Sequence, residues 1–441
     1  SKKIRVSAFL AALTLIVAAS FFGVLGGTKV ESGRLGNAVL DRALDIELGL
    51  VEREQQEQLV SSGALYAVLA ATGELERRAS KQHESSQRGN NNQRGNSGTV
   101  GCSNTFGRDN VRVNQDCSLR RQAEEVVVAN PTNPDNLIAG QNDSRIGFNH
   151  CGYDFSFDGG KTWGDQIPPF YQFILADGHT ADACSDPTAT FDSKGNAYVG
   201  GVLFDINSAA SAFVIAKSNA PIGGAFYHSP AAQSFQTYRD VPLGVVASDN
   251  NGNIFHDKEF IVADATASSP KADNVYATWT RFEFGSGPIG GHSPIFFSQS
   301  GDGGATWSAG IEISGASSAC TVGSNETNPN ACDQDQGSHP IVGRDGTIYV
   351  AFGNGNTPLP GVNQHMIVKC PASANCAVAA SWQGPYKIGD DIGKQPVGPN
   401  AATGCPAGRQ CLPPNGYRLD DFVEGSISID NFGKLYAVWA D

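Results

Sequence analysis

A short pattern recurs five times after residue 119: a turn rich in Gly, Asn or Asp, followed by a run of β-branched and aromatic residues. The five copies are residues 135–140, 195–200, 273–279, 345–351 and 432–439. A further strand-like run precedes each turn, at residues 125–129, 188–191, 260–263, 339–342 and 426–429. Such pairs predict β-hairpins. Their repetition at intervals of about 60 to 87 residues predicts a mainly β fold of propeller type.

The composition agrees with many short strands. The 441 residues include 52 Gly, a share well above the usual ~7%, which argues against a helical bundle. The formal net charge of −13 argues against nucleic acid as a partner, because phosphate binding needs clustered Lys and Arg.

The N-terminus predicts export. In residues 1–27, Lys2, Lys3 and Arg5 precede an uncharged apolar run over residues 6–25. This is the pattern of a signal sequence, and the run is also long enough for a membrane-spanning anchor helix, so cleavage and retention both remain open. Either way, the rest of the chain is expected at the cell surface or in the extracellular space.

Two further segments precede the β region. Residues 28–83 lack Pro and repeat apolar residues at helical spacing, which predicts an amphipathic stalk helix. The alternatives are a solvated stalk and self-association through residues 6–80. Residues 84–118 are rich in Asn, Gly, Gln and Ser, which predicts a flexible linker.

The cysteines also indicate an oxidising compartment. All ten lie after residue 100 and fall into sequential couples, which predicts local disulfides. Zinc is the weaker alternative, because there is no C-x-x-C motif. Spacing alone does not settle the connectivity. The couples are Cys102 and Cys117, Cys151 and Cys184, Cys320 and Cys332, Cys370 and Cys376, and Cys405 and Cys411.

Two segments share the pattern S-x-D-G-G-x-T-W. Its Asp can accept backbone N–H groups of its own turn, its Gly residues supply positive φ, and its Trp can pack beneath the turn. The first copy contributes Ser156, Asp158, Gly160, Thr162 and Trp163, and the second contributes Ser300, Asp302, Gly304, Thr306 and Trp307.

These two segments resemble the Asp-box, or BNR repeat, of sialidase-like propeller proteins secreted by bacteria. The resemblance covers residues 119–441 and implies a propeller, usually of six blades. We count four blades and part of a fifth, preceded by a long N-terminal helix, and therefore expect the propeller to be incomplete at its C-terminal end. The resemblance places the Asp-boxes at the outer rim, with a structural role.

A sialidase activity would require an arginine cluster, a Tyr backed by a Glu, and an Asp acid/base. The family's early Arg-Ile-Pro motif is absent, and Arg120 and Arg121 occupy that region. The weak catalytic candidates, each with a structural alternative, are Arg145, Arg239, Asp257, Glu259, Tyr417 and Arg418. For Arg145 the structural alternative is an ion pair with Asp143.

Within residues 256–259, strand alternation would place Asp257 and Glu259 on one face and His256 and Lys258 on the other. This predicts either an acid/base pair or a salt-bridged sheet edge. The run Asp333-Gln334-Asp335 could hold Ca²⁺ through oxygen ligands, and no other metal or cofactor is expected. Asn142 and Asn325 begin glycosylation sequons.

Three functions are compatible with these patterns. The preferred one is a surface-tethered noncatalytic propeller for recognition or display, binding a glycan or a surface protein. The first alternative is an exo-acting, sialidase-like glycoside hydrolase. The second is a filament or surface-assembly subunit that polymerises through its N-terminal helix.

Overall fold

A computed structural model describes most of the chain after residue 34. The described residues are 35–53, 57–75, 77, 105–106, 110–114, 122–145, 149–170, 173–226, 241, 243–285, 291–322, 327–357, 362–391, 411–412, 417–418 and 426–439. The apolar segment 1–27 and most of the linker expected at 84–118 lie outside them. None of the described helices is long and apolar enough to cross a membrane.

The described part of segment 28–83 contains two short helices, α1 (Ala38–Glu47) and α2 (Ser62–Ala71). The expectation of one long stalk helix is therefore wrong here. Helix α1 ends at Glu47 with Leu48 as its C-cap, and Gly49 follows with a φ of 69°, which is a common way to end a helix. Helix α2 begins at Ser61, whose side chain caps the backbone amide of Ala64.

Both helices bury their apolar faces against the β region of the same chain. Leu40 and Leu44 of α1 and Leu65 and Val68 of α2 belong to one core cluster with residues such as Trp279. Apolar burial of this kind stabilises a short helix more than its intrinsic propensity does. The faces that the sequence offered for self-association are, in these two helices, packed inside the protomer.

Twenty-three strands follow among the residues that the structure describes. In chain order they are β1 (Thr105–Phe106), β2 (Asn110–Val111), β3 (Gln122–Asn130), β4 (Asn133–Asp143), β5 (His150–Ser156), β6 (Gly164–Gln166), β7 (Ala183–Phe191), β8 (Ala197–Phe204), β9 (Ser211–Ser218), β10 (Leu243–Asp249), β11 (Ile254–Ala263), β12 (Val275–Phe284), β13 (Gly291–His292), β14 (Ile295–Ser300), β15 (Ile311–Glu312), β16 (Asp335–Val342), β17 (Ile348–Asn354), β18 (Asn363–Cys370), β19 (Gln383–Asp391), β20 (Cys411–Leu412), β21 (Tyr417–Arg418), β22 (Ser426–Ile429) and β23 (Leu435–Val438).

The longer strands form consecutive antiparallel sheets. Sheet 1 is β3-β4-β5-β6, sheet 2 is β7-β8-β9-β10, sheet 3 is β11-β12-β14-β15 with β13 beside β12, and sheet 4 is β16-β17-β18-β19. The pair β22-β23 forms sheet 5, and β1-β2 and β20-β21 are separate two-stranded pairs. The fold is therefore mainly β, as predicted.

The first strands of the sheets lie next to one another in chain order: β3 contacts β7, β7 contacts β11, β11 contacts β16, and β16 contacts β22. Sheets that succeed one another in this way, each with its first strand innermost, have the arrangement of a propeller. The first strands β3, β7, β11 and β16 are called the inner strands below.

Three of the expected disulfides are formed: Cys151–Cys184, Cys320–Cys332 and Cys370–Cys376. The first joins β5 of sheet 1 to β7 of sheet 2. The couples Cys102 and Cys117, and Cys405 and Cys411, are not among the side chains that the structure describes.

Candidate functional site

Each of the four inner strands is interrupted by a β-bulge at an equivalent position. The regular pairing with the second strand of the sheet breaks between Ala123 and Val126, Ser185 and Thr188, Asp257 and Phe260, and Gln336 and His339. One residue in each bulge has a positive φ: Glu124 (59°), Asp186 (55°), Lys258 (49°) and Gly337 (68°). Side chains rarely adopt this conformation, and bulges that impose it are common at functional sites.

The three bulge residues that carry side chains meet at the centre of the inner strands. Lys258 Nζ lies 3.1 Å from Glu124 Oε1 and 3.3 Å from Asp186 Oδ1. Asp257 and Glu259, on either side of Lys258, are 0% and 1% exposed. These five residues, Glu124, Asp186, Asp257, Lys258 and Glu259, are called the inner-strand cluster.

The four carboxyl groups of the cluster differ in acidity. Burial would raise the pKa of Glu124, but the charge of Lys258 and hydrogen bonds from Asp186, Lys258 and Ser62 outweigh it and lower this pKa to about 2. Burial and the negative charge of Glu124 raise the pKa of Asp186 well above its ordinary value. Asp186 therefore holds its proton much more tightly than Glu124 does.

The two carboxyl groups from β11 also hold their protons more tightly than usual. Burial raises the pKa of Asp257 to about 6, against hydrogen bonds from Ser61 that lower it. Burial, followed by the charges of Asp186 and Asp257, raises the pKa of Glu259 well above its ordinary value. Neighbouring carboxyl groups with separated pKa values are the usual basis of acid and base roles.

Asn142, at the end of β4, links the cluster across two sheets. Its amide nitrogen donates to Glu124 Oε2, and its oxygen accepts the backbone N–H of Asp186 at 2.9 Å. Ser185 Oγ donates to Asp186 Oδ2 at 2.7 Å. The sequence marked Asn142 as a glycosylation sequon, but its side chain is 1% exposed and serves the cluster instead.

The start of α2 covers the cluster. The backbone N–H of Ser61 donates to Asp257 Oδ2 at 2.5 Å, and the N–H and hydroxyl of Ser62 donate to Glu124 Oε1 at 2.9 and 3.0 Å. The positive end of a helix dipole favours such a contact with carboxylates. Residues 57–71, which contain α2, are called the covering segment.

The structure brings two of the six catalytic candidates into the cluster, Asp257 and Glu259. The bulge overturns the expected alternation, because Lys258 turns inward and shares the cluster with both carboxyl groups. Arg145 lies in the turn after β4, where its guanidinium pairs with Asp143 and with Asp165. Arg145 therefore forms the ion pair with Asp143 that was its structural alternative, and Asp165 is a second partner.

The remaining candidates are not placed with the cluster. Arg239 lies outside the described residues, as do Arg120 and Arg121. Tyr417 and Arg418 form β21, of which the structure describes the backbone pairing with β20 alone. Glu124, Asp186 and Lys258 were not among the candidates. They share a position two residues before strand pairing resumes, which the structure shows and the sequence does not.

The two Asp-boxes have the expected turn geometry. Asp158 accepts the N–H and hydroxyl of Thr162, and Asp302 accepts those of Thr306. The indole N–H of Trp163 donates to Gly160 O at 3.0 Å. Trp307 makes the same bond to Gly304, and Ser156 and Ser300 donate to the Asp of their own box.

Both Asp-boxes join the third and fourth strands of a sheet, whereas the inner-strand cluster lies on first strands.

Two sets of acidic residues are candidates for binding a metal ion. In the run expected to hold Ca²⁺, Asp333 faces His292 and Asn356, and Asp335 accepts a hydrogen bond from Asn354. Among the described residues, Asp177, His179 and Asp205 form one group whose ligand atoms lie within 4.8 Å of one another.

Neither group adjoins the inner-strand cluster in sequence, and Ca²⁺ at Asp333 and Asp335 stays a prediction. Within the described part of the chain, the cluster pairs its carboxyl groups with one lysine. It does not match the arginine clamp that a sialidase would require.

Comparison with known proteins gives structural neighbours alone. No protein-family model matches the chain, and no curated protein sequence does. Among solved structures, the chain is similar to an endo-arabinase from Bacteroides thetaiotaomicron VPI-5482, at 13% identity and a TM-score of 0.38, over 74% of this chain and 91% of that one.

Two other structures are similar to the chain. An α-L-arabinofuranosidase from Lactobacillus brevis has 8% identity and a TM-score of 0.37, with 60% of this chain and 73% of that one covered. A Hadza microbial sialidase has 12% identity and a TM-score of 0.31, with 59% and 47% covered. Likeness at this level assigns no substrate and no residue role.

The names of these structures nevertheless correct the preferred functional expectation. Most of the similar structures carry the names of glycoside hydrolases, whereas the sequence favoured a noncatalytic module for recognition or display. That preference is wrong, and the hydrolase alternative is taken forward on the geometry of the cluster.

Proposed function

We propose that the protein is an exported, exo-acting glycoside hydrolase whose reaction takes place at the inner-strand cluster. The observation that carries the proposal is the meeting of one ionised and three protonation-prone carboxyl groups on the first strands of three sheets. Glycoside hydrolysis uses two carboxyl groups in different protonation states, one to protonate the leaving oxygen and one to attack or to activate water.

The contacts suggest a role for each group. Glu124 and Asp257 are the two carboxyl groups that accept hydrogen bonds from the covering segment, so they face the space that a ligand would occupy. Asp257, with the higher pKa of the two, suits the acid, and ionised Glu124 suits the base or nucleophile. Lys258 keeps Glu124 ionised, and Asp186 and Asn142 position it.

The charge balance favours an uncharged sugar. The charge of Lys258 is already paired with ionised Glu124, and the five residues of the cluster include no further cation to bind the carboxylate of an anionic ligand such as a sialic acid. The depth of the cluster supports exo action, because Asp257 and Glu259 are fully buried and a chain end enters such a site more readily than an internal unit. Three formed disulfides support export to an oxidising compartment.

The test is hydrolysis of aryl glycosides of neutral pentoses and hexoses, with an aryl sialoside in the same panel. The unmodified chain and a Gly63→Leu variant, designed to displace the covering segment, are both assayed. We expect release of a neutral sugar and none from the sialoside. Glu124→Gln and Asp257→Asn in the Gly63→Leu background should each lower kcat at least a hundredfold.

Asp154→Asn is the matched control, since it also neutralises a buried carboxyl group, on β5 of sheet 1, and it should keep activity. Hydrolysis that survives both Glu124→Gln and Asp257→Asn would reject these residues as the site. The function itself would be rejected if neither the unmodified chain nor Gly63→Leu hydrolysed any of the glycosides, with the covering segment shown to be displaced in Gly63→Leu.

A further inference from the structure

We infer that the covering segment, residues 57–71, is an intramolecular inhibitor that occupies the sugar site and must withdraw before a substrate binds. The inference rests on the proposed function and adds its regulation. The site that residues 57–71 cover is the inner-strand cluster.

The first support is competition for the same oxygens. Consecutive backbone amides, those of Ser61 and Ser62, donate to Asp257 Oδ2 and Glu124 Oε1. The two carboxyl groups belong to sheets 3 and 1, so the segment bridges the cluster as a bound ligand would. A sugar that uses either carboxyl group must displace these bonds.

The second support is the fit at Gly63. A Cβ added to this residue would lie 2.1 Å from Ser185 Oγ and 2.2 Å from Asn142 Nδ2. Ser185 and Asn142 are the two neighbours that hydrogen-bond Asp186 and Glu124. The backbone of the segment therefore approaches the cluster as closely as glycine alone permits.

The third support is the way the rest of the segment is held. Gln336 Nε2, on inner strand β16, donates to Leu59 O at 2.7 Å, while Leu65 and Val68 pack into the core. The segment thus contacts three inner-strand regions: Glu124 on β3, Asp257 on β11 and Gln336 on β16. Its withdrawal exposes apolar side chains, so the covered state dominates at equilibrium.

Displacement of the segment by substitution tests the inhibition. In Gly63→Leu the added side chain has no space, and we expect kcat/KM for the neutral aryl glycoside to rise at least about tenfold, a coupling of about 1.4 kcal/mol. Ser62→Asp is the second variant, because a carboxylate beside Glu124 repels it, and it should act in the same direction. Gly301→Leu is the matched control, since an added Cβ there meets nothing closer than 3.8 Å, and its activity should equal that of the unmodified chain.

A peptide of residues 57–71, added in trans, should inhibit Gly63→Leu competitively, and the same peptide carrying Gly63→Leu should not. Hydrogen exchange at residues 61–69 reports directly whether the segment has withdrawn. If the unmodified chain, Gly63→Leu and Ser62→Asp are equally active although hydrogen exchange shows that the segment is displaced in both variants, the inhibition is overturned and the hydrolase function stands. If the unmodified chain and both variants are inactive, and hydrogen exchange again shows that the segment is displaced, the hydrolase function is overturned instead.

Discussion

Lys258 Nζ lies 3.1 Å from Glu124 Oε1, although the two residues belong to the first strands of sheets 3 and 1. Both have positive φ in a β-bulge, which interrupts the alternation of side chains along each strand. The same ammonium group reaches Asp186 from sheet 2 at 3.3 Å. The side chain of Lys258 on sheet 3 thus contacts carboxyl groups of sheets 1 and 2.

Removal of this lysine should destabilise the protein strongly. Lys258→Met leaves the carboxyl group of Glu124 buried without its counter-charge, and breaking a buried pair from one side costs about 3–5 kcal/mol. Lys194→Met is the control, because Lys194 pairs with Asp273 at an exposed site and exposed pairs contribute less than about 1 kcal/mol. The free energy of unfolding from urea titration at pH 7 measures both, and equal losses would contradict the structural role of Lys258.

The Asp-boxes should matter for stability and not for catalysis. Hydrogen bonds from Thr162 lower the pKa of Asp158 to about 2, and bonds from Thr306 do the same for Asp302. A lowered folded-state pKa contributes stability that is present above about pH 4 and is lost as the pH falls toward 2. Asp158→Ala and Asp302→Ala should each lower Tm by a few degrees at pH 7, with a smaller difference at pH 2.5. A change of kcat without a change of Tm would contradict this.

The hairpins could be predicted from the sequence because their causes are local. Asp192 accepts the backbone N–H groups of Lys194 and Asn196 within one turn, and Gly195 supplies a φ of 80°. Asp430 does the same for Phe432 and Lys434. Cys320–Cys332 and Cys370–Cys376 are also local, with sequence separations of 12 and 6, and they agree with the sequential couples that were expected.

The cluster could not be predicted, because its causes are not local. Strand alternation assigned Lys258 to the face opposite Asp257, and the bulge reversed that assignment. Glu124 and Asp186 gave no sign of their partner, which lies on another sheet. The stalk helix was wrong for a different reason: the periodicity ran on across residues 48–61, where Gly49 follows the end of α1 with a positive φ and the Ser61 side chain caps the start of α2.

A buried carboxyl group outside the cluster should give the stability a marked pH dependence. Burial, with the charge of Asp165 next, raises the pKa of Asp154 to about 8. The folded state then keeps a proton that the unfolded state releases above about pH 4, so this group reduces stability as the pH rises from about 4 to 8, by up to about 1.4 kcal/mol per pH unit. Asp154→Asn removes that term, and the difference in unfolding free energy between variant and unmodified chain should grow in the variant's favour from pH 5 to pH 8. A difference that does not change with pH would show that Asp154 is ionised in the folded protein.

The disulfides should differ in their contributions to stability. Cys151–Cys184 spans 33 residues and joins sheets 1 and 2, whereas Cys370–Cys376 spans 6. In the chain-entropy account, loss of the first costs about 3–4 kcal/mol and loss of the second about 2 kcal/mol, because a longer closed loop restricts the unfolded chain more. The double variants Cys151→Ala/Cys184→Ala and Cys370→Ala/Cys376→Ala, unfolded in urea, give the two losses directly. A larger loss for the shorter loop would mean that packing around the sulfur atoms, and not restriction of the unfolded chain, determines what each disulfide contributes.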